Sequence, residues 1–538
     1  MIRRITLALI LMSAIHTAVL AGGMLTNTNQ SIDFLRNPAR DAAIGIDGVY
    51  SNPAGVAFLP EGLHLSVNWQ SAWQTRTIET TNPTFALGYR NNGETTKTYE
   101  GISHAPFIPS VLGLYNFGKW SLQFGVSVTG GGGKCEFSNG LGSFEGAVGT
   151  IASQLASSSA SLNSQFSPLG VNIPVVTGYD CDGYMQGNQY YFGFTVGTAY
   201  KITDNLSVYG GLRFLYGTAS YKARIDNIKV KCQNADYTLQ GYFDQVNSGM
   251  TQASESVTAG KAQIIGAYSN AISSSNPQLS AEQVQSLAIQ MAAGNETYQQ
   301  LDVAQQRIEG AAATLSEKAE ALTSYYNGVN LQSDQTGFGL APILGADFKY
   351  GQFNFAVKYE FRTRMSMENK STVKQAMQIE AVNQFIDGTS IREDQPSLLA
   401  FGVQWSPVND VRIMGGYHHF YDTHAKKYGD RQKQLSGGTD EYLGGVEWDP
   451  VKKLTVSAGF QVTRYGNTDE FMRDLSYVVD SWSVGVGAKY KLNEKVTLQA
   501  AYFRTNYSDY TTAMSSDGIQ NSFTRNNNVL GVGCELNF

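Results

Sequence analysis

The chain has 538 residues, 42% hydrophobic and only 16% charged, with 56 Gly, 30 Tyr and 26 Phe and a formal net charge of −6. A soluble multidomain protein carries about a quarter of its residues as charges, and a helical membrane protein needs repeated apolar runs of about 20 residues. The sequence has neither beyond its N-terminus, and its mild acidity gives no footprint for nucleic acid.

Residues 1–21 read as an export signal: Arg3 and Arg4, the apolar stretch Ile5 to Met12, then Val19-Leu20-Ala21 ending in a small residue. The apolar stretch is too short to span a bilayer. No Cys follows Ala21, which argues against a lipid anchor. Residues 22–61 precede the first strand and are expected to plug a lumen.

From there on the signal is period two, because alternate strand side chains point to opposite faces. Leu454, Val456, Ala458, Phe460 and Val462 alternate with polar or small residues, as do Trp482, Val484, Val486, Ala488 and Tyr490, and Phe353 to Phe361. Such segments fall at approximately 62–77, 106–117, 119–130, 189–201, 205–223, 336–350, 352–368, 396–406, 410–424, 440–449, 452–465, 480–491, 494–508 and 526–538. The segment 106–117 alternates poorly and carries Pro106 and Pro109. Most are longer than the roughly 5–6 residues of a soluble sandwich and suit a tilted bilayer crossing. Trp120, Trp405, Trp448 and Trp482 fall near strand ends, where interfacial aromatic girdles belong.

Connections alternate in length. Short turns lie at Phe117-Gly118, Thr203-Asp204, Gly351, Pro407 to Asp410, Asp449 to Val451 and Asn493-Glu494, and long polar ones fill the other gaps. The reading is all-β: a 14-stranded antiparallel transmembrane β-barrel over residues 62–538, with both chain ends on the periplasmic side of a Gram-negative outer membrane. The gap 225–335 exceeds any hairpin loop and must carry its own structure. Ser280-Ala281-Glu282-Gln283 resembles a capping box, and apolar residues recur at three and four spacing beyond it. Two amphipathic helices within 250–325 are predicted to cover the external mouth. Cys135 and Cys181 flank one polar stretch and are a candidate disulfide; Cys534 lies in an alternating strand.

Residues 37–45 (Asn-Pro-Ala-Arg-Asp-Ala-Ala-Ile-Gly) lead to Val49-Tyr50-Ser51-Asn52-Pro53-Ala54-Gly55. This stretch resembles the N-terminal hatch signature of the FadL/TodX family of outer-membrane hydrocarbon transporters, in which an Asn-Pro-Ala motif ends the plug just before the first strand. The terminal Phe538 resembles the aromatic C-terminus that outer-membrane assembly machinery recognises. The resemblance implies diffusion-driven uptake of fatty acids, lipids, detergents or other hydrophobic small molecules by a monomer. The ligand is captured by external loops, passes a hatch held by Asn52, Pro53, Ala54 and Gly55, and leaves sideways through the wall. The large helical insertion departs from the family pattern.

Arg213, Lys358, Arg362 and Arg364 lie on or near polar strand faces and could meet a ligand carboxylate; the competing reading is ion pairing with Glu360 or Glu447. Gly130 to Gly133 with Lys134 lacks the spacing and helix of a phosphate loop and reads as a flexible strand exit. His418 and His419 point to opposite faces, so with Asp422 and His424 they do not form a metal site. His64 has no assignable nucleophile beside it. No catalytic residue, metal or cofactor is expected. Two other classes stand beside the channel: an adhesin or receptor barrel using its large loops, and a general porin.

Overall fold

The computed structural model describes residues 26–374 and 383–538; the export signal read at 1–21 and the first residues of the plug lie outside them. Fourteen wall strands form one closed antiparallel sheet. They are β1 (Gly62–Thr81), β2 (Thr96–Phe117), β3 (Trp120–Phe137), β4 (Val176–Lys201), β5 (Leu206–Cys232), β6 (Val329–Tyr350) and β7 (Phe353–Glu360), then β8 (Leu398–Val408), β9 (Val411–Phe420), β10 (Thr439–Val451), β11 (Leu454–Arg464), β12 (Ser481–Lys491), β13 (Val496–Tyr507) and β14 (Gln520–Asn537). Closure is made by β1, which pairs with β2 on one side and with β14 on the other, from His64 opposite Asn537 to Thr81 opposite Gln520.

The alternation is inverted relative to a soluble protein. On β1, Ser66, Asn68 and Gln70 face the lumen at 1–2% exposure, while Val67 and Trp69 face out at 50% and 47%. Phe194, Phe214 and Phe338 continue that apolar exterior on neighbouring strands. Near the short turns, Phe353 stacks on Trp405, and Trp120 packs against Tyr200, as an interfacial girdle requires. Gly118 and Gly351 take φ of +54° and +59° in two of these turns, a conformation a Cβ disfavours.

Several strands run past the bilayer segments that alternation marked, since β2, β4, β5 and β6 have 22 to 27 residues and continue into the external cap. Pro106 and Pro109 sit in β2 because the ladder to β3 is open there, with register passing from His104–Lys134 to Val111–Val126 and nothing paired between. A proline can donate no ladder bond, so an unpaired edge accommodates it. The segment read as one strand at 352–368 is broken. β7 stops at Glu360, and Ser366–Ser371 resumes beside β6. Phe361 N donates to Pro342 O, but Pro342 has no N–H to return the bond.

The external region holds more helix than the periodicity suggested. α1 (Ile32–Arg36) lies in the plug, and α2 (Gly142–Phe166) fills the β3–β4 connection. The β5–β6 connection carries three helices rather than two, α3 (Leu239–Ser275), α4 (Ala281–Ala293) and α5 (Glu296–Ala321). α3 begins well before residue 250 because Thr238 caps it, accepting from Gly241 N. The capping box at Ser280 and Gln283 is present. Burial of Val148, Ile151, Ala152, Leu155 and Ser159 shows the helical stripe that Ser and Ala richness hid in α2. One hydrophobic core joins Phe85, Tyr99, Tyr179, Tyr242 and Phe523, so the external loops pack as a single cap.

All four cysteines are free thiols. Cys135 is in register with Gly187 on β4, six positions from Cys181. At about 3.3 Å per residue that offset is roughly 20 Å, far beyond the ~7 Å Cα separation a disulfide spans. The Cys135–Cys181 pairing is therefore corrected.

Candidate functional site

Residues 26–61 fill the lumen and are fixed to the wall from several directions. The motif at 52–55 alone reaches three strands. Asn52 Nδ2 donates to Asp347 Oδ2 on β6 at 2.6 Å, and Asn52 Oδ1 accepts from Gly55 N at 3.1 Å. Gln123 on β3 donates to Pro53 O at 2.7 Å, and Ser207 on β5 donates to Ala54 O at 2.7 Å. A Cβ on Gly55 would stand 2.2 Å from Asn52 Nδ2 and 2.8 Å from Asp347 Oδ2, so a side chain there would displace the anchor.

The first half of the plug is held by charge. Arg36 and Arg40 both reach Glu447 on β10, at 3.0 and 2.9 Å, and Arg412 joins it at 3.0 Å. Asp33 takes Arg36 at 2.5 Å and Lys489 at 3.1 Å, and Lys489 also reaches Glu535 at 2.7 Å. Arg40 pairs with Asp47 at 2.7 Å, folding the plug on itself. Buried ions persist only when partnered this closely. His418 lies buried between Glu441 and Asp41 of the plug, at 2.8 and 2.9 Å, whereas His419 turns to Asp440. The described residues hold no cluster of three or more groups suited to a metal ion. His64 bonds Asn537 and Pro60 O at the periplasmic rim.

Of the four cations singled out by sequence, two come together. Arg213 binds Glu360 at 2.5 Å and Lys358 binds it at 3.0 Å, with Lys358 also donating to Tyr50 O at 2.8 Å. Both lie over the Tyr50 ring, at 4.8 and 4.7 Å. Beside them is a cavity of about 20 Å3 lined by Thr26, Thr129, Arg213, Glu360 and Thr363, room for about one water. Arg362 and Arg364 are elsewhere, because the strand ends at Glu360 and the alternation lapses. Arg362 donates to His424 O at 2.5 Å and Arg364 is exposed.

The open ladder between β2 and β3 is a gap in the wall at this level. Gly130 to Gly133 belong to β3 itself and are not a strand exit. Gly131 takes φ of +86°, and a Cβ there would meet Gln189 O at 2.1 Å. The plug supplies the bonds that β2 does not. Asn27 N donates to Thr129 O at 2.9 Å, Asn27 Nδ2 to Gly131 O at 3.0 Å and Gln30 Nε2 to Val128 O at 2.9 Å. On the β2 side, Ser110 Oγ donates to Gln30 O at 2.5 Å.

No protein-family model and no curated protein matches the sequence. Solved structures match by shape. A Pseudomonas aeruginosa FadL homologue superposes with a TM-score of 0.55 at 10% identity, covering 96% of this chain and all of its own. The chain has the FadL barrel fold. The P. putida toluene transporter TodX gives a TM-score of 0.46 at 12% identity, covering 92% of this chain and 94% of its own. The Ralstonia pickettii toluene transporter TbuX gives 0.46 at 10%, covering 93% and 98%.

A FadL-type barrel with an apolar exterior and a closed sheet is an outer-membrane protein. In this one the sequence reading missed Asp33, Arg36 and Arg40. Their signal was present: four charged residues within nine positions of a segment otherwise apolar or small, preceding the first strand.

Proposed function

We propose that this barrel is a diffusion channel for hydrophobic small molecules, including fatty acids and neutral hydrocarbons. The solute enters from the external cap, moves past the plug and leaves sideways through the wall between β2 and β3. One observation carries the reading: the wall is unpaired over 105–110 and 127–133, and plug residues 26–30 close it with side-chain and backbone bonds that a small shift can break. An apolar solute gains nothing from a water-filled pore but can partition from such a gap directly into lipid. A general porin fits poorly with a lumen filled by residues 26–61. Arg213 and Lys358 lie at the level of the gap, paired to Glu360, and a ligand carboxylate arriving there would compete with Glu360 for them.

The test locks the gap. In a background lacking the native cysteines, Gln30→Cys with Ser110→Cys should cross-link plug to wall on oxidation. Uptake of both toluene and dodecanoate should stop in the oxidised form and return on reduction. Equal uptake in both states would rule out passage through this gap.

A further inference from the structure

The outer face of the wall carries a trough that begins at the gap. One register row crosses five strands, from Ala488 on β12 through Ala500 on β13 and Val532 on β14 to Trp69 on β1 and Pro109 on β2. Ala488 and Ala500 form the low part of that row. Tyr502 and Leu530 stand in the row above, Tyr490 and Leu498 in the row below, and these four are 37–51% exposed. Between them lie two open cavities of about 530 and 650 Å3 that share Trp69, Ala500 and Val532, so the trough is continuous. Its floor is elongated, since Ala488 and Trp69 are three strand spacings of about 4.8 Å apart. Across β4, β5 and β6 the same outer face carries Phe194, Phe214 and Phe338, which pack on one another instead.

Two contacts tie this trough to the gap. Trp69 Nε1 donates to Pro106 O at 2.9 Å, and Pro106 belongs to the stretch of β2 that β3 leaves unpaired. Trp73, which also lines the trough, stacks at 5.5 Å on His104, the last paired residue before that stretch. The hydroxyl on the upper rim is satisfied within the wall, with Tyr502 donating to Asn528 Oδ1 at 2.7 Å.

We propose that the trough is a docking site for the alkyl chain of a solute leaving through the gap, which lies across β14 and β13 before it disperses into the bilayer. The inference rests on the lateral-exit reading and extends it beyond the wall. An apolar surface in lipid offers a chain no hydrophobic gain over lipid itself, so the site works by shape and position. A long floor of small side chains allows close van der Waals contact along a chain, and one end of that floor lies at the lip where the chain emerges.

The probe is an alkyl-diazirine analogue of dodecanoate, added outside intact cells carrying the full chain and photolysed during uptake, with adducts mapped by mass spectrometry. Labelling should fall on Ala500, Tyr502 or Leu530. In the Gln30→Cys, Ser110→Cys protein those adducts should be lost on oxidation and return on reduction. Ala488→Phe with Ala500→Phe fills the floor on a lipid-facing surface that accepts apolar side chains. This pair, checked as a folded heat-modifiable barrel, should lose the adducts at Tyr502 and Leu530 and take up dodecanoate several-fold more slowly. Unchanged labelling and uptake in the phenylalanine pair overturn the site, and so does equal labelling in the oxidised and reduced forms, which would mean that chains reach the trough from the bilayer. If oxidation stops uptake but the open form gives no adducts in the trough, the site falls and the lateral exit stands. Uptake that continues in the oxidised form overturns the lateral exit and the trough with it.

Discussion

Asn52 of the plug and Asn354 of β7 donate to the same oxygen, Oδ2 of Asp347, at 2.6 and 2.8 Å. The other oxygen of that buried carboxylate has no partner. Replacing Asn52 with Ala therefore leaves a carboxylate with one donor where it had two, at about 1–3 kcal/mol. The barrel should remain folded and heat-modifiable. Hydrogen exchange over residues 43–57 should rise, and passage of hydrophobic solutes should change; wild-type exchange and passage in Asn52→Ala would reduce the motif to a simple turn.

Deleting residues 22–54 removes every ion pair that Arg36 and Arg40 make with Glu447 and every bond across the β2–β3 gap. Planar-bilayer recordings should show an aqueous conductance well above wild type. Normal insertion with wild-type conductance and continued fatty-acid uptake would mean that this segment neither plugs nor gates.

The fourteen-strand topology puts α3, α4 and α5 on the outside of the cell. An epitope inserted beside Asn295, in the turn between α4 and α5, should be labelled on intact cells. Labelling that needs a permeabilised outer membrane would mean an even number of strands before β6.

In the loop after β9, burial pushes the Asp422 carboxyl up to about 7, although Thr439 donates to it at 2.6 Å. The unfolded value is about 3.9, so between there and about 7 the native loop keeps a proton that the open loop has lost. Stability of this loop therefore falls as pH rises through that window and is flat above it. Hydrogen exchange at residues 422–438, corrected for intrinsic rates, should show more protection at about pH 5 than at about pH 8. Asp422→Asn should abolish the difference.

The wall was legible because lipid outside and polar groups inside impose one repeating contrast on every strand. Leu454 to Val462 and Trp482 to Tyr490 carry it without interruption, and they fold as β11 and β12. Alternation fails where a strand meets neither lipid nor a plain lumen. The N-terminal part of β2 and the long extensions of β4 and β5 pack into the cap, so both of their faces become mixed. The break after Glu360 depends on Pro342, a residue on a different strand, and no local pattern announces it. At the site, Arg213 and Lys358 could be placed on inward faces, but their convergence on Glu360 and Tyr50 depends on the plug's path.

Because β1 follows the plug directly and pairs with β14, the sheet cannot close until the last residues of the chain lie beside the first strand. The anchors of the plug, Arg40 on Glu447 and Asn52 on Asp347, lie immediately upstream of that seam, so plug docking and sheet closure draw on one continuous stretch of chain. A change that loosens the stopper thereby acts on the strand that completes the wall.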